Sequence, residues 1–199
     1  MLDLSKILNF VQLLNKFRLV QRVLFVNGED RRENDTEHSY QLAMLALYIV
    51  GAEKSDLNHE LILKYALVHD LVEVYAGDTY IYSDDEDELD SKEGREEEAR
   101  IQLQNDFSEF PELHKLIESY ENKVDRESRF IYALDKIQPI LNIYEDGGRT
   151  WKDKDISLQM LIDHKKGKVN QSPEVKVYFK ELIKLLEKDE KNLFPKVNS

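Results

Sequence analysis

The 199-residue chain is predicted to be all-α. Apolar residues recur at three- and four-residue spacing through most of its length, and strict apolar–polar alternation over strand lengths is hard to find. Glycines stand where that pattern stops, at Gly51, Gly77 and Gly147-Gly148. On these signals helices are expected at 4–16, 37–50, 58–76, 92–107, 111–121, 127–145, 153–165 and 173–190, with ends placed to about ±3 residues. No internal repeat and no linker divides the chain, so 1–199 reads as a single domain.

The first helix mixes acidic and basic residues into an amphipathic pattern, and no apolar run in the chain approaches membrane-spanning length. Cysteine is absent, which leaves histidine and carboxylates as the available metal ligands. A soluble, cytoplasmic protein without a membrane partner is the expectation. The net charge of −12, from 40 acidic against 28 basic residues, repels polyanions and argues against nucleic-acid binding. It does not exclude a small phosphorylated substrate, because a metal and a few local arginines can hold one phosphate inside an acidic shell.

The second helix has a marked start. Asn34 and Glu37 have capping-box spacing, and Asp35 and Thr36 are also competent caps. His38 follows in the first turn, with Leu42, Leu45 and Ile49 on its face, so its imidazole should point inward. In the third helix His69, Asp70 and Glu73 follow Ile62, Tyr65 and Ala66 at helical spacing, and the three should converge on one side near the C-terminus. A buried cluster of this kind without a cation would place carboxylates against one another in low dielectric.

Residues 83–98 are strongly acidic and read as a solvated loop running into an exposed helix start, with a lid over the site or an extra cation site as the alternatives. In the sixth helix Asp135 interrupts the apolar run Phe130-Ile131-Tyr132-Ala133-Leu134, where a carboxylate is rare without a partner. Pro139 removes the N–H that would bond the Asp135 carbonyl, so a bend is expected there. His59, His114 and His164 lie in settings that suggest surface or packing roles.

His38, His69-Asp70 and Asp135 together make an H…HD…D constellation, which resembles the metal site of the HD-domain phosphohydrolases. Residues 15–145 resemble the branch that contains the bacterial 5′-deoxynucleotidases and their eukaryotic relatives. The matching stretches are residues 32–39, 66–78 and 130–136. The middle one is specific, because it carries the HD pair, Glu73 and then Gly77-Asp78.

The resemblance implies an HD-type helical bundle with one divalent ion between helices, held by His38, His69, Asp70 and Asp135. It implies Glu73 and Asp78 as acid-base and substrate-orienting carboxylates. Arg22 matches the arginine near the substrate phosphate, while Val23 stands where some members have a tryptophan against the nucleotide. Arg31 and Arg32 are weaker phosphate candidates. A two-His, two-carboxylate set suits Mn²⁺, Co²⁺, Fe²⁺, Ni²⁺ or Zn²⁺ better than Ca²⁺. The implied activity is hydrolysis of deoxyribonucleoside 5′-monophosphates, and the implied assembly is a homodimer. Two alternatives stay open: a (p)ppGpp-type pyrophosphohydrolase, against which Val74 after Glu73 counts, and a sensor that keeps the site without turnover.

Overall fold

The chain opens on α1 (Leu4–Phe17), whose first free N–H groups are capped by the Asp3 carboxylate. The computed structural model describes residues 2–78 and 86–195, the side chains of 86–92 excepted. Among the described residues the architecture is helical, with one small departure. Residues after α1 form a hairpin, β1 (Gln21–Phe25) against β2 (Arg32–Asn34), with Gln21 opposite Asn34 and Phe25 opposite Arg32. Its turn holds Asn27-Gly28, with Gly28 at φ 76°. This pair is the short-range hairpin signal that the helical periodicity around it overshadows.

The elements α2 (Asp35–Ala52), α3 (His59–Val68) and α7 (Arg126–Glu145) pack on one another and carry the main core. Leu42, Ile62, Ile131 and Leu134 are wholly buried there, each stabilising the packing by about 1.5–3 kcal/mol. The Asn34–Glu37 capping box forms as expected. The stop expected at Gly51 does not: α2 runs through Gly51 to Ala52, and Lys54 takes the left-handed turn at φ 50°.

The expected helix 58–76 is broken. After α3, Leu71 N–H donates to Val68 O (3.1 Å) and Glu73 N–H to Asp70 O (2.9 Å), so the chain tightens to i→i+3 bonds before α4 (Glu73–Ala76). At three residues per turn side chains three apart eclipse. The tightening therefore stacks Glu73 over Asp70.

Beyond this turn lie α5 (Glu86–Asp106) and α6 (Pro111–Glu121). The helical part of the acidic segment thus starts earlier than expected, and residues 79–85 lie outside the described ones. A second, smaller apolar cluster joins Leu13 and Phe17 of α1 to Leu103, Phe107, Leu113 and Ile117. No helix among the described residues is long and apolar enough to cross a membrane.

The C-terminal third differs from expectation in two places, at 149–169 and after Lys188, where a separate helix follows. Instead of one helix at 153–165 there are α8 (Arg149–Asp153) and α9 (Leu158–Val169), separated because Asp155 turns left-handed (φ 52°) and Ser157 accepts from Met160 N–H. Then follow α10 (Pro173–Lys188) and α11 (Glu190–Leu193). Gly148, at φ 75°, lets α11 close over α8, since a Cβ there would lie 1.9 Å from the Leu193 carbonyl oxygen. Gly148→Ala combines a backbone clash with a left-handed conformation and is expected to lower stability by about 2–4 kcal/mol. Urea unfolding checks this, and a loss near zero would mean that the α8–α11 contact yields freely.

Candidate metal centre and active site

His38 enters from the first turn of α2, His69 and Asp70 from the end of α3, and Asp135 from the middle of α7. Three elements far apart in sequence thus deliver four donor atoms to one buried point. His38 Nε2 is 3.0 Å from Asp135 Oδ1, 3.3 Å from His69 Nε2 and 3.7 Å from Asp70 Oδ2. His69 Nε2 is 3.0 Å from Asp70 Oδ2 and 3.8 Å from Asp135 Oδ1.

These separations test the fit to a metal. Atoms bonded to one ion at about 2.0–2.3 Å lie roughly 3.0–3.8 Å from one another at right to wide angles. His69 Nδ1–H donates to Ala66 O at 3.1 Å, which fixes the tautomer and turns the lone pair of Nε2 toward the other donors. Without a shared cation, lone-pair-bearing atoms would crowd at this buried point. The residues present fit a divalent ion.

Asp135 is buried, and Lys136 Nζ donates to its outer oxygen at 2.5 Å. Burial opposes ionisation, but Lys136 and the histidines outweigh it and hold the carboxyl well below its usual range. Burial and the Arg22 charge push His38 down to about 4, so it stays neutral and able to donate its lone pair.

Behind the donors lies a second carboxylate group. Oxygens of Asp35, Asp70 and Glu73 lie within 4.8 Å of one another. Arg22 ties the two groups together. Its guanidinium donates to Asp70 Oδ2 (2.9 Å) and Asp35 Oδ1 (3.3 Å), and its Nε lies 3.6 Å from Glu33 Oε2. Burial, and then Asp70, push Glu73 well above the ordinary carboxyl range, and burial raises Asp35 and Glu33 to about 7. Glu33 Oε2 and His38 Nδ1 are both buried without a hydrogen bond, 3.9 Å apart.

One cavity runs from these groups along α7 and α9. Arg22, Asp70, Glu73, Asp78 and Asp135 line its polar end, and Leu24, Ile140, Ile143, Trp151, Ile156 and Leu161 its apolar walls. Val23 and Pro139 line it as well.

Of the residues singled out from sequence, the structure brings together His38, His69, Asp70, Asp135, Glu73, Asp78 and Arg22. It does not bring Arg31 or Arg32 to the cavity. Arg31 is half-exposed and paired to Glu29 and Glu37, and Arg32 stacks on Phe25, donates to the Val23 carbonyl and pairs with Asp153. The reason is strand alternation: on β2 Glu33 is the inward residue, so its neighbour Arg32 turns away.

Sequence reasoning missed Glu33 and Lys165 and valued Asp35 only as a cap. Glu33 needs the hairpin register to be found. Lys165 had a readable signal, because Leu158, Leu161, Lys165 and Val169 share the buried stripe of α9. Of the remaining histidines, His59 is exposed, His114 bonds the Phe107 carbonyl and His164 meets Lys168.

A helical bundle that closes two histidines and two aspartates around one point defines the class: a metal-binding hydrolase of the HD type. Residues 14–176 match the HD domain family, and the chain belongs to it. It is 34% identical to the human protein named 5′-deoxynucleotidase HDDC2, over 85% of this chain and 80% of that one. The Dictyostelium discoideum protein of the same name is 28% identical over 94% of this chain and all of its own length. Among solved structures, a predicted metal-dependent phosphohydrolase from Magnetospirillum magnetotacticum MS-1 superposes with a TM-score of 0.81 at 29% identity, covering 96% of both chains.

Proposed function

We propose that the chain hydrolyses deoxyribonucleoside 5′-monophosphates to deoxynucleoside and phosphate, with His38, His69, Asp70 and Asp135 holding one divalent transition-metal ion. The observation that carries this reading is the set of four donors within 4.8 Å of one another, at the end of a cavity that Glu73, Asp78 and Arg22 also line. Similarity to proteins named 5′-deoxynucleotidase supports the substrate class.

When bound, Mn²⁺, Co²⁺, Fe²⁺, Ni²⁺ or Zn²⁺ supplies Lewis-acid polarisation of a phosphate oxygen and of a water. The chain's own residues do the rest. Glu73 takes the proton of the attacking water as the new P–O bond forms. Asp78 gives a proton to the 5′-oxygen as the old P–O bond breaks. Arg22 clamps the phosphate with the guanidinium edge that otherwise faces carboxylates. The apolar walls, with Trp151, take the base and sugar.

Phosphate release measured across ribo- and deoxyribonucleoside mono- and triphosphates with each metal tests the assignment. Monophosphates should be preferred, because one ion and one arginine neutralise a dianion, whereas a triphosphate brings extra charge against Asp70, Glu73 and Asp78. Arg22→Ala should raise KM for monophosphates by about 10–100-fold. Higher kcat/KM on triphosphates, or no loss in the Arg22 variant, would favour a pyrophosphohydrolase instead.

The reading includes a homodimer. Leu4, Ile7, Leu8, Val11 and Leu14 form an exposed apolar stripe on α1, the face opposite to its buried Leu13 and Phe17. Light scattering gives the mass directly.

A further inference from the structure

The side chain of Lys165 is not used by the chemistry above, and its surroundings are unusual for a lysine. It lies on α9, which packs on α7, and it lines the cavity with only 8% of its surface exposed. Among the described residues it has no hydrogen bond and no ion pair. The other cations of the cavity are all engaged: Arg22 on Asp70 and Asp35, Lys136 on Asp135, and Lys168 on His164.

A buried ammonium without a counter-charge is expensive, so such a group persists in a fold only where packing or function demands it. Packing does not demand it here. The stripe of Leu158, Leu161 and Val169 calls for an apolar residue at position 165, and the lysine interrupts it.

Charged groups surround Lys165 on the cavity wall. Those that act most strongly are Lys136, Asp135, Lys168 and Arg22, and the carboxylate among them is already paired with Lys136. Lys165 thus lines the same cavity as Asp135 and Arg22. Asp70 is held by Arg22 and Asp135 by Lys136, so neither of these carboxylates is left to Lys165. Burial, and then repulsion from Lys136, pull the group down to about 7, so an anion entering the cavity is what would restore its full charge. A carbonyl on a nucleobase would offer an acceptor but would not offset that repulsion.

We infer that Lys165 is a substrate-binding residue that holds the phosphate group of the ligand, from the α9 side, opposite the hairpin that presents Arg22. This rests on the phosphomonoesterase reading of the cavity and adds to it a second cationic contact from the C-terminal part of the chain. The residue is part of the binding machinery and takes no proton in the reaction.

The test is the binding of inorganic phosphate by calorimetry to the full chain supplied with Mn²⁺, compared between wild type, Lys165→Met and Lys165→Gln, with bound metal measured in each. Lys165→Met should fold, since it places an apolar chain of similar volume on an apolar stripe, and its Tm should equal or exceed that of wild type. Phosphate affinity is expected to fall at least about tenfold in both variants, with metal content unchanged. Affinity for the unphosphorylated deoxynucleoside should not move.

Equal phosphate affinity in wild type and variants, or no phosphate binding by wild type, overturns the inference. So does the reverse pattern, with nucleoside affinity lost and phosphate affinity kept, which would assign Lys165 to the base. Because binding is read without turnover, a wild type that binds phosphate through Lys165 yet hydrolyses no monophosphate would overturn the substrate assignment and leave this contact standing.

Discussion

Asp135→Ala is expected to lose metal and turnover together, with activity down by at least about 10³-fold. The carboxylate is 3% exposed and sits at the meeting point of the site, 3.0 Å from His38 Nε2 and 3.8 Å from His69 Nε2. No neighbour can replace it from α7, because Lys136 and Gln138 offer no anionic oxygen. Its removal also strips Lys136 of the partner that holds its ammonium at 2.5 Å. Metal analysis after dialysis should find the ion below stoichiometric trace in the variant and about one per chain in wild type. Retention of the ion by the variant would place the metal elsewhere.

Glu73→Gln is expected to part the two properties, keeping the metal and lowering kcat by about 10²–10⁴-fold. Glu73 is not in the set of four donors. It belongs to the group with Asp35 and Asp70, one tightened turn beyond His69-Asp70. Its Oε2 is buried without a hydrogen bond, and in the metal-free chain burial with neighbouring carboxylates favours its neutral form; the positive charge of a bound cation would return it to the carboxylate that accepts the water's proton. A neutral amide of the same shape should therefore be tolerated, and the metal-free variant should be no less stable than metal-free wild type. Unchanged kcat would pass the base role to Asp78, the other carboxylate on the cavity wall. Loss of metal in this variant would make Glu73 a ligand.

Much of this site was readable from residues. His38, Asp70 and Asp135 are polar groups written into apolar helical stripes, and burial of such groups is costly enough that stripe position alone marks them. The capping box at Asn34 placed His38 within its turn, and Gly77 and Gly147-Gly148 do end their helices. The helical class followed from the same periodicity.

What failed did so for local reasons. The hairpin has strands of five and three residues, too short to override the helical pattern on either side, and its register decides that Glu33 faces inward while Arg32 faces Asp153. Glu73 was expected beside Asp70 from ordinary helical spacing, yet the neighbourhood arises from a tightened turn that no residue type in the stretch announces.

The helical class, and the buried faces on which His38, His69, Asp70 and Asp135 lie, were legible in the residues alone, because both depend on periodicity and on the expense of burying a polar group. Which arginine reaches the acids, how the two carboxylate groups divide, and that Lys165 shares a cavity with Asp135 follow from how the segments pack. Those depend on the angle at which α2, α3, α7, α9 and the hairpin meet, and packing between segments a hundred residues apart leaves no trace in local spacing.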